Sequence, residues 1–550
     1  MKTNCLSRLL CAGVLAVGLA TAHAQTGPVA TPFAVSISPL GSYRTGLFEQ
    51  SAAEIVAHDP ASQRLFVVNA SSGMIDVLDV RNPAAPTFLF NVSLGGTVNS
   101  VAAHKGTIAA AVENPVKTAP GRVVFLAADG RTLTDVEVGA LPDMLTFTPD
   151  GKRVLVANEG EPSDDYTVDP EGSVSIIDLP ADILQLGPQH VRTARFTRFN
   201  EVALDPAIRV FGPKGTVAQN LEPEYITVAK DSRTAWVALQ EANAIAILDI
   251  AAGEFSTIKP LGFKDHMRPG NELDASNRDG IRIGNWPVLG MYQPDAIANY
   301  EYRGRSFIVT ANEGDSRDWA GYSEVSRFHA LSGNVPPCAD SPRLQAFLAD
   351  NPFGITSLAQ LRDNANLGRL NVTTASGLRA DSSCYEDIYA YGARSFSIWT
   401  ADLKPVFDSG AAFERHLASV APAHFNANHT ANDADARSDD KGPEPEALAV
   451  AKLFGRDYAF IGLERVGGVM IYDITNPYAP SFVQYFNYRD FSAAPGTPAA
   501  LDLGPEGIRV IEAEHSPIPG VPLLVVANEV SGTTTLFRID RERLVGKITR

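Results

Sequence analysis

One pattern, written most fully at 142–178, recurs along the chain and limits what it can fold into. DMLTF is a short apolar run. A PDGK turn follows, then KRVLVANE, then a polar insertion, then GSVSIIDL. Aliphatic and β-branched runs cut by Pro, Asp and Gly have the composition of antiparallel strands joined by tight turns. Seven such units can be written. Their strands are predicted at 53–58, 64–70 and 74–80; at 99–104, 106–114 and 121–127; in the 142–178 stretch; at 223–231, 233–241 and 243–250; at 294–300, 305–315 and 394–402; at 445–452, 456–464 and 467–474; and at 505–512, 522–530 and 534–540. Fourth strands follow most units, as at 86–94 and 480–488.

Four-stranded units repeated at this period predict an all-β fold, a seven-bladed β-propeller. A parallel β-helix is the alternative, but its repeats are shorter and lack hairpin turns. The seventh unit ends after its third strand. FAVSISPL at 33–40 precedes the first unit and is predicted to supply the missing strand, which would close the ring and leave no open edge.

The first 24 residues read as a signal peptide: Lys2 and Arg8, an apolar run from Leu9 to Ala20, and Ala22-His23-Ala24 before the expected new terminus at Gln25. The apolar run is shorter than the ~20 residues of a spanning helix. Residues 25–550 are then one propeller domain, periplasmic or secreted, expected as a monomer without a membrane span. Cys5 and Cys11 would leave with the signal, and Cys338 and Cys384 are expected to form a disulfide. A formal charge of −17 argues against a nucleic-acid partner.

Long insertions fall at 159–172, 200–222, 263–293, 312–394 and 411–444. In a propeller, loops between blades and loops joining second to third strands share a face, so all five are expected on one side. Elaborated loops on a rigid scaffold are where binding groups gather. The 312–394 insertion is read as a lid. It carries a short helix after Ser341, with Leu344, Phe347 and Leu348 on its apolar side, and a buried Trp319.

First strands open with an acid: Glu54, Asp143, Glu224, Asp295, Glu446 and Glu506, with Ser100 in the second unit. Pro precedes the acid at 142, 223, 294, 445 and 505. The first strand of a blade is innermost, so these acids should ring the mouth of the central channel. Second strands end in a second recurring acid, seen in Asn158-Glu159, Gln240-Glu241, Asn312-Glu313 and Asn528-Glu529, and in Glu113 and Glu464. Converging like charges need cations. A divalent metal, calcium by its preference for hard oxygen ligands, is the expected cofactor. Asp274 and Asp279, with Ser276 and Gly280, resemble a calcium loop without the terminal Glu, and a plain Asp-Gly turn fits as well. Arg317, Arg437, Lys441 and His429 lie in the insertions and are the catalytic candidates, able to clamp a phosphate ester.

TGLFEQSAAEIVAHDPASQRLFVVNA at 45–70, VLVANEGEP, LDASNRDG with NWPVLGMYQPDAIANY at 285–300, VTANEGDSRDW and SDDKGPEPEAL together resemble the choice-of-anchor I family, related to mesenchyme-specific cell-surface glycoproteins of biomineralising animals. The resemblance implies an extracytoplasmic propeller, often labelled alkaline phosphatase-like, with animal relatives associated with calcium mineral. It carries no catalytic residue set. The expected functions are therefore cation and ligand binding on the acidic face, a metal-dependent phosphoesterase, or a structural module of the cell envelope. The ligand would be a small, phosphorylated or cell-surface molecule.

Overall fold

The structure, a computed structural model, describes residues 33–543 apart from Lys214 and 332–334. The signal-peptide reading of 1–24, with Cys5 and Cys11, lies outside the described residues.

The recurring pattern folds as sequential antiparallel four-stranded sheets, and seven of them are present among the described residues. Their first strands are Val56–Asp59, Val98–His104, Pro142–Phe147, Pro223–Val228, Ile297–Tyr302, Pro445–Leu453 and Pro505–Ile511. Each first strand lies against that of the next sheet, and the last lies against the first. The result is a closed ring of sheets, the architecture of a β-propeller. Second strands are almost wholly buried, as in Leu523–Asn528, because both faces meet a neighbouring sheet.

An apolar cluster fills the space between every pair of adjacent sheets. Val237 and Leu248 of one sheet pack with Leu155 and Ile176 of its neighbour, and Trp236 packs with Trp399 across the next junction. Burial at about 25 cal/mol per Å² of apolar surface makes these wedges the main stabilising term.

The N-terminal strand Phe33–Arg44 pairs antiparallel with the final strand, Thr533–Arg543, from Phe33 opposite Arg543 to Arg44 opposite Thr533. It thus completes the last sheet, as its position before the first repeat suggested.

The insertions are tied to one another. Arg209 pairs with Glu324, Gly321 donates its N–H to Asp164 O (2.7 Å), Arg394 donates to Asp274 O (2.6 Å), and Asn371 N–H bonds Asp439 O (3.0 Å). These bonds link all five stretches, so they emerge together on one side. A sixth stretch at 487–504, not singled out from the sequence, joins them through Arg489, which donates to Ala431 O (2.7 Å).

The 263–293 and 312–394 insertions also build a core of their own. Five short strands form a separate sheet, and Trp286, Phe328, Phe347, Leu361 and Leu370 pack beneath it. The predicted helix is Pro342–Ala349, capped by Ser341, whose hydroxyl accepts from Leu344 N–H. Cys338 and Cys384 form a disulfide within this unit. The stretch read as a lid is therefore an anchored subdomain. Trp319 is not buried as expected: it is half-exposed, with the Lys117 ammonium 4.2 Å from its ring centre. Among the described residues, no helix is long and apolar enough to cross a membrane.

Candidate functional site

The Pro-acid step at the start of a first strand has a defined backbone. Pairing to the second strand slips there in four sheets, between Pro142 and Leu145, Pro223 and Ile226, Pro445 and Leu448, and Pro505 and Gly507. Proline donates no hydrogen bond, and a bulge re-aims the next side chain. The residue before the proline has positive φ in four sheets: Leu141 (46°), Gln293 (40°), Glu444 (51°) and Gly504 (70°). For Leu and Glu this conformation is costly, so the surroundings must hold it. One clamp is visible. Glu159, Glu464 and Glu529 donate their backbone N–H to the carbonyls of Leu141, Glu444 and Gly504 at 2.8–2.9 Å. The same bonds bring the second-strand acid beside the first-strand acid.

The two polar residues that end a second strand divide the work. The Asn side is structural: Asn158 Nδ2 donates to the hydroxyls of Ser173 (3.2 Å) and Ser175 (3.0 Å), and Asn312 Nδ2 to Ser395 (3.1 Å) and Ser397 (2.8 Å) on the adjoining third strand. The Glu side faces the mouth.

The first- and second-strand acids named from the sequence act on one another. Burial raises Glu54 to about 8, and the charges of Glu529 and Asp143 add to that. Asp143 is raised to about 6 by burial and by Glu113. Asp295 is held well above the ordinary range by burial, Glu313 and Asp143. Burial, Glu464 and Glu506 do the same for Glu446; burial and Glu529 do it for Glu506. Charges from distant parts of the chain thus act on one another across one opening. Among the described residues, Asp143, Glu224, Asp295, Glu446 and Glu506 have no hydrogen-bond or ion-pair partner.

Carboxylate oxygens meet in three groups at this mouth, each within 4.8 Å: Glu159–Glu224–Glu241, Asp295–Glu313–Glu446 and Glu313–Glu444–Glu464. The third group is already neutralised. Lys441 pairs with Glu313 and Glu444, Arg437 with Glu444 (2.6 Å), and Arg465 with Glu444 and Glu464 (3.0 Å each). Burial would raise Glu444, but Lys441, Arg465 and Arg437 pull it far below the usual carboxylate range. The first group is different. Glu224 is 9% exposed, and its Oε2 is buried without a partner. Burial, Glu241 and Glu159 raise Glu224 well above its ordinary value. Glu241 is raised to about 7 by burial and Glu222, with Arg317 pulling the other way.

The catalytic candidates are occupied. Arg317 is 3% exposed; its guanidinium pairs with Glu222 (2.8 Å) and donates to Phe211 O (2.7 Å) and to Asn220 Oδ1 (2.9 Å) and O (3.1 Å). Arg437 and Lys441 are the counter-ions just described. His429 lies between Glu464 and Glu529, 3.1 and 3.7 Å from its Nδ1, with Arg465 2.8 Å from Nε2. These four act as internal partners of the acids, which leaves their guanidinium and ammonium groups engaged rather than offered to a phosphate ester.

Asp274 and Asp279 lie apart from the mouth groups. Asp274 is fully buried and accepts Arg282 N–H (2.6 Å), closing the 274–282 turn, while Ser276 Oγ bonds Asn364 O (2.6 Å). The oxygens of Asp274 and Ser276 are therefore engaged within the insertions, whereas Asp279 Oδ1 and Oδ2 receive no hydrogen bond.

Glu222, Glu444 and Arg465 were not singled out from the sequence. For the two acids a signal existed: Glu-Pro-Glu occurs at 222–224 and again at 444–446, with an acid on both sides of the recurring proline.

Fold and mouth together define a β-propeller with an acidic opening covered by long loops. The chain belongs to the choice-of-anchor I family, whose domain model matches residues 54–477. It is similar to Gigasin-3a of Magallana gigas, 31% identical over 195 residues, covering 33% of this chain and 68% of the relative. It is also similar to the mesenchyme-specific cell surface glycoprotein of Strongylocentrotus purpuratus, 28% identical over 327 residues. That match covers 54% of this chain and only 39% of the relative's length. Similar solved structures include hydrazine synthase of Kuenenia stuttgartiensis (TM-score 0.43, 12% identity, 90% of this chain and 99% of that one). The Cps50 (Swd1) β-propeller domain of Myceliophteria thermophila gives 0.41 and 8%, over 91% and 99%.

Proposed function

We propose that this is an exported seven-bladed β-propeller whose loop-covered mouth binds a divalent cation and presents it to a ligand outside the cytoplasm. The cation centre is Glu159, Glu224 and Glu241, with Asp143 beside them and Asp295, Glu313 and Glu446 as the adjoining group. Calcium is the metal of choice, because every candidate donor is a hard carboxylate oxygen and the site offers enough of them for six to eight ligands once water is included. The single observation behind this reading is the unpartnered, buried Glu224 Oε2 among like charges, since buried charge without a partner is costly. Export is supported by the Cys338–Cys384 disulfide and by the cell-surface name of the second relative. The ligand follows from the bound ion: an anionic group of a small or cell-surface molecule completing its coordination.

The test is calcium titration of chelator-treated protein by calorimetry, alongside melting curves. The wild type should bind calcium and melt at a higher temperature, because a ligand of the folded state stabilises it by about 2.7 kcal/mol at a hundredfold excess over Kd. Glu224→Gln should lose at least tenfold in affinity at this centre. An unchanged melting temperature and no heat at millimolar calcium would end the reading.

A further inference from the structure

We propose that a second divalent cation sits away from the mouth, held by Asp279, Asp435 and the side-chain carbonyl of Asn426, and staples the 263–293 insertion to the 411–444 loop. It does not rest on the mouth reading.

On one side, the turn closed by Asp274 projects Asp279. The Asp279 side chain is 9% exposed and stands 3.1 Å from Arg282 Nε, yet neither of its oxygens receives a hydrogen bond. On the other side, Asn426 is fully buried. Its Nδ2 donates to Glu414 Oε1 (2.8 Å) and Ser438 Oγ (2.9 Å). An ionised carboxylate only accepts, so the amide nitrogen must face Glu414 and the orientation of the group is set. Asn426 Oδ1 is then a buried carbonyl with no donor. Asp435 lies next to it: Asp435 N–H bonds Phe425 O (2.6 Å) and Arg437 N–H bonds Asn426 O (2.9 Å). Asp435 Oδ1 is also buried and unpartnered. Three side chains from two insertions therefore each carry a buried oxygen without a hydrogen bond, and native proteins leave few of these.

The charges agree. Asp274, Asp279, Glu414 and Asp435 are four carboxylates, and Arg282 and Arg394 are the two cations paired with them, to Asp279 and Glu414. Each of these two cations is already paired with a carboxylate of the cluster, and none is paired with Asp435. Asp279 and then Glu414 are the charges that act most on Asp435, which burial and they raise to about 6. Burial raises Asp274 to about 8, with Glu414, Asp435 and Asp279 adding to it. Carboxylates and an amide carbonyl are hard donors, which suit calcium, or magnesium if the cage is tight.

The experiment counts ions on the full exported chain. Chelator-treated wild type, Asp279→Asn, Asp435→Asn and Glu224→Gln are each titrated with calcium and with magnesium, and trypsin cleavage within 263–293 and 411–444 is followed with and without the metal. Two classes of site are expected in the wild type. Asp279→Asn and Asp435→Asn should each weaken one class at least tenfold and lose the metal-dependent protection, while Glu224→Gln weakens only the other class. If both Asp variants keep wild-type stoichiometry and protection, the oxygens are satisfied by water and the proposal falls, whatever happens at the mouth. If Glu224→Gln alone changes nothing, the mouth reading falls and this one stands. Asp279→Asn, in a turn closed by Asp274 rather than by Asp279 itself, serves as the second variant should Asp435→Asn fail to fold.

Discussion

The two sides of the mouth are built from the same repeat and differ in one respect. Around Glu444, three carboxylates meet Lys441, Arg437 and Arg465. Around Glu224, three carboxylates meet at the same spacing, and no cation is bonded to Glu224 among the described residues. The slip in pairing after the proline is shared by Pro223 and Pro445, so the difference in charge lies in the loops. The 411–444 loop brings its own Lys and Arg into the opening, whereas Arg317, beside the other side, is drawn off to Glu222. One side carries its counter-ions in the sequence; on the other, Glu224 has none among the described residues, which is the gap the proposed ion would fill.

That contrast predicts opposite responses to removing charge. The largest effect should come from Lys441→Met. It strands the Glu313 charge, while Glu444 keeps Arg437 and Arg465, and breaking a buried pair by removing one partner costs about 3–5 kcal/mol. Denaturant unfolding of the metal-free variant measures it, and a loss under 1 kcal/mol would make the two sides equivalent.

Next is pH. An acid whose folded pKa lies above its unfolded one keeps its proton longer in the folded state. Its stabilising share is full below the unfolded value, about 4–4.5, and is lost as pH rises through the folded value. With Glu54 at about 8, Glu241, Glu313 and Asp315 at about 7, and Asp143 at about 6, the metal-free protein should lose several degrees of melting temperature between pH 5 and 8. Saturating calcium, which favours the ionised forms, should flatten that slope. Equal slopes with and without calcium would separate the titrating acids from the metal.

Asn312→Leu should cost about 1–3 kcal/mol by leaving the Ser395 and Ser397 hydroxyls without their donor, with calcium affinity unchanged. A loss of affinity there would mean the Asn is a ligand after all. The smallest change is expected from Glu224→Gln in chelator, a gain of about 1 kcal/mol as one like charge leaves. A destabilised variant would show that Glu224 already has a partner.

Much of this was legible in the sequence because it repeats. Strand periodicity and the Pro-acid step at 142, 223, 294, 445 and 505 carry both the sheets and five of the six first-strand acids, and a repeated pattern averages out local ambiguity. The charge balance was not legible in that way. Which acid Lys441 or Arg317 meets depends on how long loops fold back, and no periodicity governs them. Glu444 precedes a proline and reads as an ordinary loop acid until its φ and clamp bond are known, and Glu222 reads so until its pairing with Arg317 is known. The small core under Trp286 was missed for a related reason: its strands are two or three residues long and drawn from insertions distant in sequence, so no local run announces them. Trp319 was misjudged because an aromatic ring in a loop can rest under a lysine instead of entering a core.

The joining of Phe33–Arg44 to Thr533–Arg543 has a consequence for biogenesis. An opening strand has to wait, unpaired, until the last segment of the polypeptide has been made and delivered. Loop closure over such a span is slow and leaves a sticky edge exposed in the meantime. A polypeptide shortened by its final strand would then be a non-closing spiral and prone to self-association, and the same locking step would make the finished molecule slow to come apart.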